Sequence, residues 1–189
     1  MGGEHLPDML NDHSRYNTQK KSFNTKNKNI MRKHTTPRGI RNNNPLNLRR
    51  TNSQWVGLLT RNDLSSKEYD ENFCQFREMC YGWRAAFICM CVNYFLLRGL
   101  NTVEDIIMRW APPSDGNNTR AYIRAVCEKV GKNPRQLIPH PKNDVGFWIQ
   151  MALAMAHVEN GTDVDFNIDE LTKGWFLFEE YARKLKYFG

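Results

Sequence analysis

The segment DVGFWIQMALAMAHVENG, residues 144 to 161, ends with a carboxyl group in a setting that could change its chemistry. Phe147, Trp148, Met151, Ala154, Met155 and Val158 recur at helical spacing and predict an apolar stripe, with Glu159 in the final turn of that helix. The last turn of a helix carries unpaired carbonyls and a partial negative charge. An apolar neighbourhood and that charge both disfavour a carboxylate and raise its pKa, which is what a proton donor working near neutral pH needs. A glutamate near a helix end is more often a solvated surface residue, so the segment alone leaves both readings open. His157, two residues earlier, faces another side of the helix and reads as packing or surface. His157-x-Glu159 without a following PCxxC excludes a zinc deaminase site.

A second stretch, RGIRNNNPLNLRR at residues 38 to 50, concentrates amides: Asn42, Asn43, Asn44 and Asn47 lie around Pro45. Asparagine and proline are standard turn formers, and asparagine tolerates the left-handed region, so a structural loop accounts for the run. Neutral amides near aromatic rings such as Trp55 and Trp110 equally suit a sugar, whose hydroxyls seek hydrogen bonds and whose C–H faces seek apolar platforms.

Taken together and in order, GIRNNNPLNLR, QWVGL, FCQF, YGWRAA, TVEDIIMRWAPPSDGNNTRAYIRAV and AMAHVENG form a specific set. The set resembles the cystovirus-type virion lysins and their prophage relatives, lysozyme-like peptidoglycan hydrolases also labelled phage structural proteins. The likeness spans about residues 39 to 175. It implies a lysozyme-like fold and action on bacterial cell walls, with Glu159 in the place of the transglycosylase acid. In those enzymes the glutamate precedes the amide-rich loop, whereas RNNNP comes first here, so the resemblance implies a circularly permuted site. Leu46 departs from the glycine that many relatives have, which bears on the local turn.

By that likeness, Glu159 would protonate the glycosidic oxygen between N-acetylmuramic acid and N-acetylglucosamine. It would then take a proton from the muramoyl C6 hydroxyl, leaving a 1,6-anhydro end. Asn43, Asn44, Asn47 and Gln75 would bind acetamido and hydroxyl groups, with Asn118 and Tyr122 on the facing wall. Hydrolysis would instead need a second carboxylate about 5 to 9.5 Å away, and Asp163 and Asp165 are the nearest in sequence. The expected partner is the peptidoglycan glycan strand, and no metal or organic cofactor is implied. The alternatives are a muramidase, a crosslink endopeptidase and a non-catalytic wall-binding virion structural protein.

Those residues need a scaffold, and 189 residues with 40% hydrophobic content can bury one core rather than two. Residues 1 to 38 hold eight Lys/Arg against three acids, most of the net charge of +7. Residues 1–37 lack any period that would bury a face and read as a disordered basic tail, serving solubility or as a linker before nucleic-acid binding. Residues 38–189 form the expected catalytic domain. Its fold class reads as mainly α (α+β lysozyme-like), a helical domain with a small β or irregular lobe at QWVGLL and FCQF. A buried central helix is expected over Met79 to Arg98, stopped by Gly99.

Capping residues mark the later helices. Thr102 with Asp105 opens one, and SDGNNT opens another that runs to Gly131. Asn133-Pro134 starts a brief helical turn, Asn143 or Asp144 begins the helix ending at Gly161, and Asn167 with Glu170 forms a capping box. The five cysteines include no CxxC pair and read as buried free thiols of a reducing compartment. No secretory signal pattern is visible, and Ala85 to Leu97 is too short to span a bilayer, which takes about 20 apolar residues. The chain is therefore expected to be made in the bacterial cytoplasm and to reach the periplasm or wall through a holin, a virion or an injection apparatus.

Overall fold

The computed structural model describes residues 36–188, and the expected tail at 1–37 falls outside them but for its last two residues. Within the described residues the chain is mainly helical, with six α-helices in order. They are α1 (Arg38–Arg41), α2 (Met79–Phe87), α3 (Val103–Trp110), α4 (Thr119–Val130), α5 (Val145–Asn160) and α6 (Ile168–Lys184).

Helix α2 continues without a break into π-helical turns at Ile88–Leu96, closed by the amide of Leu97 donating to the carbonyl of Val92. This is the expected central helix. Trp83, Phe87, Met90, Cys91 and Val92 along it are fully buried. It packs mainly on α6, while α4 packs on both α3 and α5. Close approach of α2 and α6 depends on Gly174, where a Cβ would collide with the Cβ of Trp83. Around this seam Trp83, Phe87, Phe166, Trp175 and Phe178 meet in stacked, tilted and edge-to-face pairs, geometries that add stabilisation beyond area burial.

The helix starts are held by the capping side chains that the sequence marks. Thr102 Oγ1 accepts from the Asp105 amide, Asn118 from Ala121, Asp144 from Phe147, and Asn167 from Asp169 and Glu170. Two expectations need correction. Glu170 does not complete a capping box, because its carboxylate accepts the backbone N–H of Cys80 and so satisfies an orphan donor at the start of α2. Asn133-Pro134 opens a turn rather than a helix, with Gln136 N donating to Asn133 O.

Residues 42–78 form the irregular lobe over a small core of Cys74, Phe76 and Ala85 flanked by Leu48, Trp55, Leu58 and Tyr81. The strands expected at QWVGLL and FCQF are only isolated antiparallel bridges, Arg49 with Phe73 and Leu58 with Phe76. Asparagine side chains bond carbonyls along this stretch where a longer ladder would use backbone donors. Asn44 Nδ2 donates to Cys74 O at 2.9 Å and Asn43 Nδ2 to Phe76 O at 3.0 Å. Gly82 of α2 admits this loop, since a Cβ there would strike the carbonyl oxygen of Asn43.

Candidate active site

Glu159 sits half-buried in the last turn of α5. Val158, placed in the apolar stripe by its spacing, is instead 40% exposed, so the stripe ends at Met155 and the chain turns Glu159 toward the lobe. Three elements converge on the carboxylate. Tyr122 of α4 donates its hydroxyl to Oε1 at 3.1 Å, and Asn47 of the lobe donates Nδ2 to Oε2 at 3.0 Å. Trp110, the last residue of α3, is the third donor to act on Glu159, through its indole N–H, and lowers its pKa. Burial is the largest influence on Glu159 and pushes its pKa above the ordinary 4.5, against the pull of these three donors and of the Arg38 charge. Among the described residues, no other carboxylate figures in the influences on Glu159.

The neighbouring Asn160 fastens this end of α5 to the lobe. Its Nδ2 donates to Pro45 O at 2.7 Å and to Ala156 O at 2.9 Å. Gly39 lies against it, because a Cβ there would overlap the Asn160 side-chain oxygen. Asn47 and Asn43 both adopt positive φ, 50° and 49°, a region that asparagine enters more readily than other non-glycine residues. The left-handed turn at Asn47 thus belongs to the segment that brings its amide to Glu159.

The remaining expected site residues are not gathered here. Asn44 is fully buried, its amide donating to Leu48 O and Cys74 O and its oxygen accepting from Leu48 N. Gln75 is also buried, accepting from Asp70 N and Arg50 Nη2 and donating to Glu68 O. Both side chains are committed to the lobe's own polar groups, which corrects the expectation that they face a sugar. Asn43 spends Nδ2 on Phe76 O and Arg77 O, and Asn118 stands exposed as the N-cap of α4. Asp163 and Asp165 are exposed on the loop after Gly161.

Two other features lie apart from Glu159. A cleft of about 880 Å³ is lined by residues of α4 and the following turn, among them Arg120, Ile123, Arg124, Cys127 and Lys132. Glu78, Cys80 and Glu170 bring three potential metal-ligating atoms within 4.8 Å of one another. There Lys173 Nζ already sits 2.7 Å from Glu78 and supplies the positive charge.

No family model matches the chain. Over 141 residues it is 34% identical to Protein P5 of Pseudoalteromonas phage PM2, an alignment spanning 73% of this chain and 79% of that protein. The chain belongs to the Protein P5 family. The phage affiliation expected from the motifs therefore stands at this level, as a family shared with a phage PM2 protein.

In this member of the Protein P5 family, sequence reasoning missed three contributors to the Glu159 environment. Trp110 reads in the sequence as an aromatic platform for a sugar, not as a neighbour of Glu159. Arg38, the first residue of the expected domain, counts there only with the N-terminal positive charge, and Asn160 reads as a helix terminator. Asn160 could have been suspected from its place beside Glu159, since an amide in a last helical turn can satisfy backbone groups of a neighbouring loop.

Proposed function

We propose that this protein cleaves the bond between N-acetylmuramic acid and N-acetylglucosamine in bacterial peptidoglycan, as a lytic transglycosylase-like enzyme with Glu159 as general acid and then general base. What carries this reading is a single carboxyl group whose proton is favoured by burial and whose position is held from α3, α4 and the lobe. In the first step the carboxyl proton passes to the glycosidic oxygen as the bond to the muramoyl C1 breaks. In the second, the resulting carboxylate takes the proton of the muramoyl C6 hydroxyl while its oxygen closes on C1, so the glutamate ends protonated again. The reaction as written draws on one carboxyl and no metal or organic cofactor. A hydrolase would need a second carboxylate, about 5 to 5.5 Å away if retaining and about 6.5 to 9.5 Å away if inverting, and among the described residues no carboxylate figures in the influences on Glu159.

In this reading Asn47 and Tyr122 orient the glutamate, and Asn43 and Asn118 remain the amides that could meet the glycan from the lobe and the start of α4. Delivery to the wall would come from a phage particle, a holin or an injection apparatus, with the basic segment at 1–37 serving solubility or as a linker. Among the described residues no helix is long and apolar enough to cross a membrane.

A second reading has its own observation. Glu159 and Asn160 both tie α5 to the lobe, which gives the carboxylate an architectural use in a non-catalytic, wall-binding structural protein. Purified sacculi separate the two readings. The catalytic reading expects the native chain to release soluble muropeptides and Glu159→Gln, correctly folded, to release none. Binding without release by both would favour the structural reading.

A further inference from the structure

The three polar groups that act on Glu159 differ in what they can do when the carboxyl carries its proton. Asn47 presents Nδ2 to Oε2, and Trp110 presents its indole N–H. As oriented both present donors, and Asn47 Oδ1, the acceptor of that amide, is buried without a hydrogen-bond partner and takes no bond from Glu159. Tyr122 is different, because a hydroxyl has one hydrogen and two lone pairs. Its oxygen lies 3.1 Å from Glu159 Oε1 and 3.4 Å from the carbonyl oxygen of Met155. It therefore has two acceptors in reach and one hydrogen to share between them.

We propose that Tyr122 is a positioning residue whose hydroxyl reverses direction with the protonation state of Glu159. When Glu159 is a carboxylate, Tyr122 O–H donates to Oε1. When Glu159 is an acid, the proton sits on Oε1 and donates to Tyr122 Oη, and the tyrosine hydrogen turns to Met155 O. No heavy atom moves and Tyr122 keeps its own proton throughout, so only one torsion changes between the two states. Oε2 stays an acceptor from Asn47 in both states. Among the described residues, the groups that act on Glu159 are Tyr122 from α4, Trp110 from α3, Asn47 from the lobe and the charge of Arg38 from α1.

This is the resting state of the free chain. In the proposed reaction, on which any catalytic use of the device rests, a bound glycosidic oxygen takes the place of Tyr122 Oη as acceptor of the Oε1 proton. The location of the proton in the free chain does not depend on that reading. Infrared difference spectra of the full chain, taken above and below the titration of Glu159, test it without reference to activity. Glu159→Gln identifies the bands that belong to this carboxyl. In the native protein the acid C=O stretch should lie at the low wavenumber of a donating carboxylic acid. The C–O band of carbon-13-labelled tyrosine should shift across the same titration. In Tyr122→Phe the acid stretch should move to higher wavenumber, and the titration should move to higher pH because the carboxylate has lost a donor.

An acid band unmoved in a Tyr122→Phe variant with native near-ultraviolet circular dichroism would overturn the proposal, as would native tyrosine bands that ignore the titration. The native-protein measurement decides alone if the variant does not fold. Failure of the chain to degrade sacculi would remove the proposed function, while the spectra would still decide where the hydroxyl hydrogen points.

Discussion

Replacing Glu159 by glutamine should stabilise the protein near neutral pH. The carboxylate is held at a cost, since burial outweighs three donors and the Arg38 charge in setting its pKa above the ordinary 4.5. Glutamine keeps the shape and removes the charge. Its amide oxygen can accept from Asn47 Nδ2, and its amide nitrogen can donate to Tyr122 Oη, which retains Met155 O as an acceptor. Single stabilising substitutions commonly yield about 0.5–2 kcal/mol, so a gain of about 1 kcal/mol is expected.

For a domain of this size that is a rise of about 2–4 °C in Tm. The sign with pH follows from linkage. A carboxyl whose folded pKa is raised contributes stability that is fully present below its unfolded pKa near 4.5 and is lost as pH rises through the folded pKa. The native chain should therefore match the variant in acid and fall behind it toward neutrality. Thermal melts of both proteins at several pH values read this directly. A variant no more stable than the native chain near neutrality, or a difference that does not change with pH, would refute the claim that Glu159 is charged against its surroundings.

Asn160→Ala removes the amide that bonds Pro45 O and Ala156 O and should cost about 1–3 kcal/mol in denaturant unfolding, because the Pro45 carbonyl is left without that donor. An unchanged midpoint would mean that the tie to the lobe is idle. Gly82→Ala would drive a methyl group into the carbonyl of Asn43 and the ring of Pro45, so a loss of about 1–3 kcal/mol is expected. The cysteines should resist alkylation in the native state. Burial pushes Cys74 and Cys80 up to about 11 and Cys89 up to about 12, and it raises Cys91 and Cys127 as well. Rapid labelling of any of the five by iodoacetamide at mildly alkaline pH would contradict that burial.

Local chemistry was legible in the sequence and long-range chemistry was not. Thr102, Asn118, Asp144 and Asn167 announce helix starts because a cap is satisfied two or three residues away. The buried course of the central helix could be read from its apolar circumference, but nothing in ICMCVNYFL announces the π-helical turns there. Asn44 and Gln75 looked like sugar ligands because their partners cannot be read locally. Asn44 bonds a carbonyl thirty residues on, and Gln75 lies among turns that no period marks. Glu170 follows the capping-box spacing yet serves Cys80, ninety residues away. The surroundings of Glu159 were partly visible: Glu159, Asn47 and Tyr122 were singled out and the fold brings them together, whereas the approach of Trp110, Arg38 and Asn160 comes only through tertiary packing.

Mass analysis of the muropeptides released from purified sacculi tests the central claim most directly. A transglycosylase-like Glu159 predicts chains ending in 1,6-anhydro-muramic acid, lighter by one water than the hydrolytic product, and their absence with Glu159→Gln. Reducing muramic ends or newly freed peptide amines would contradict it, and so would anhydro ends released undiminished by the variant.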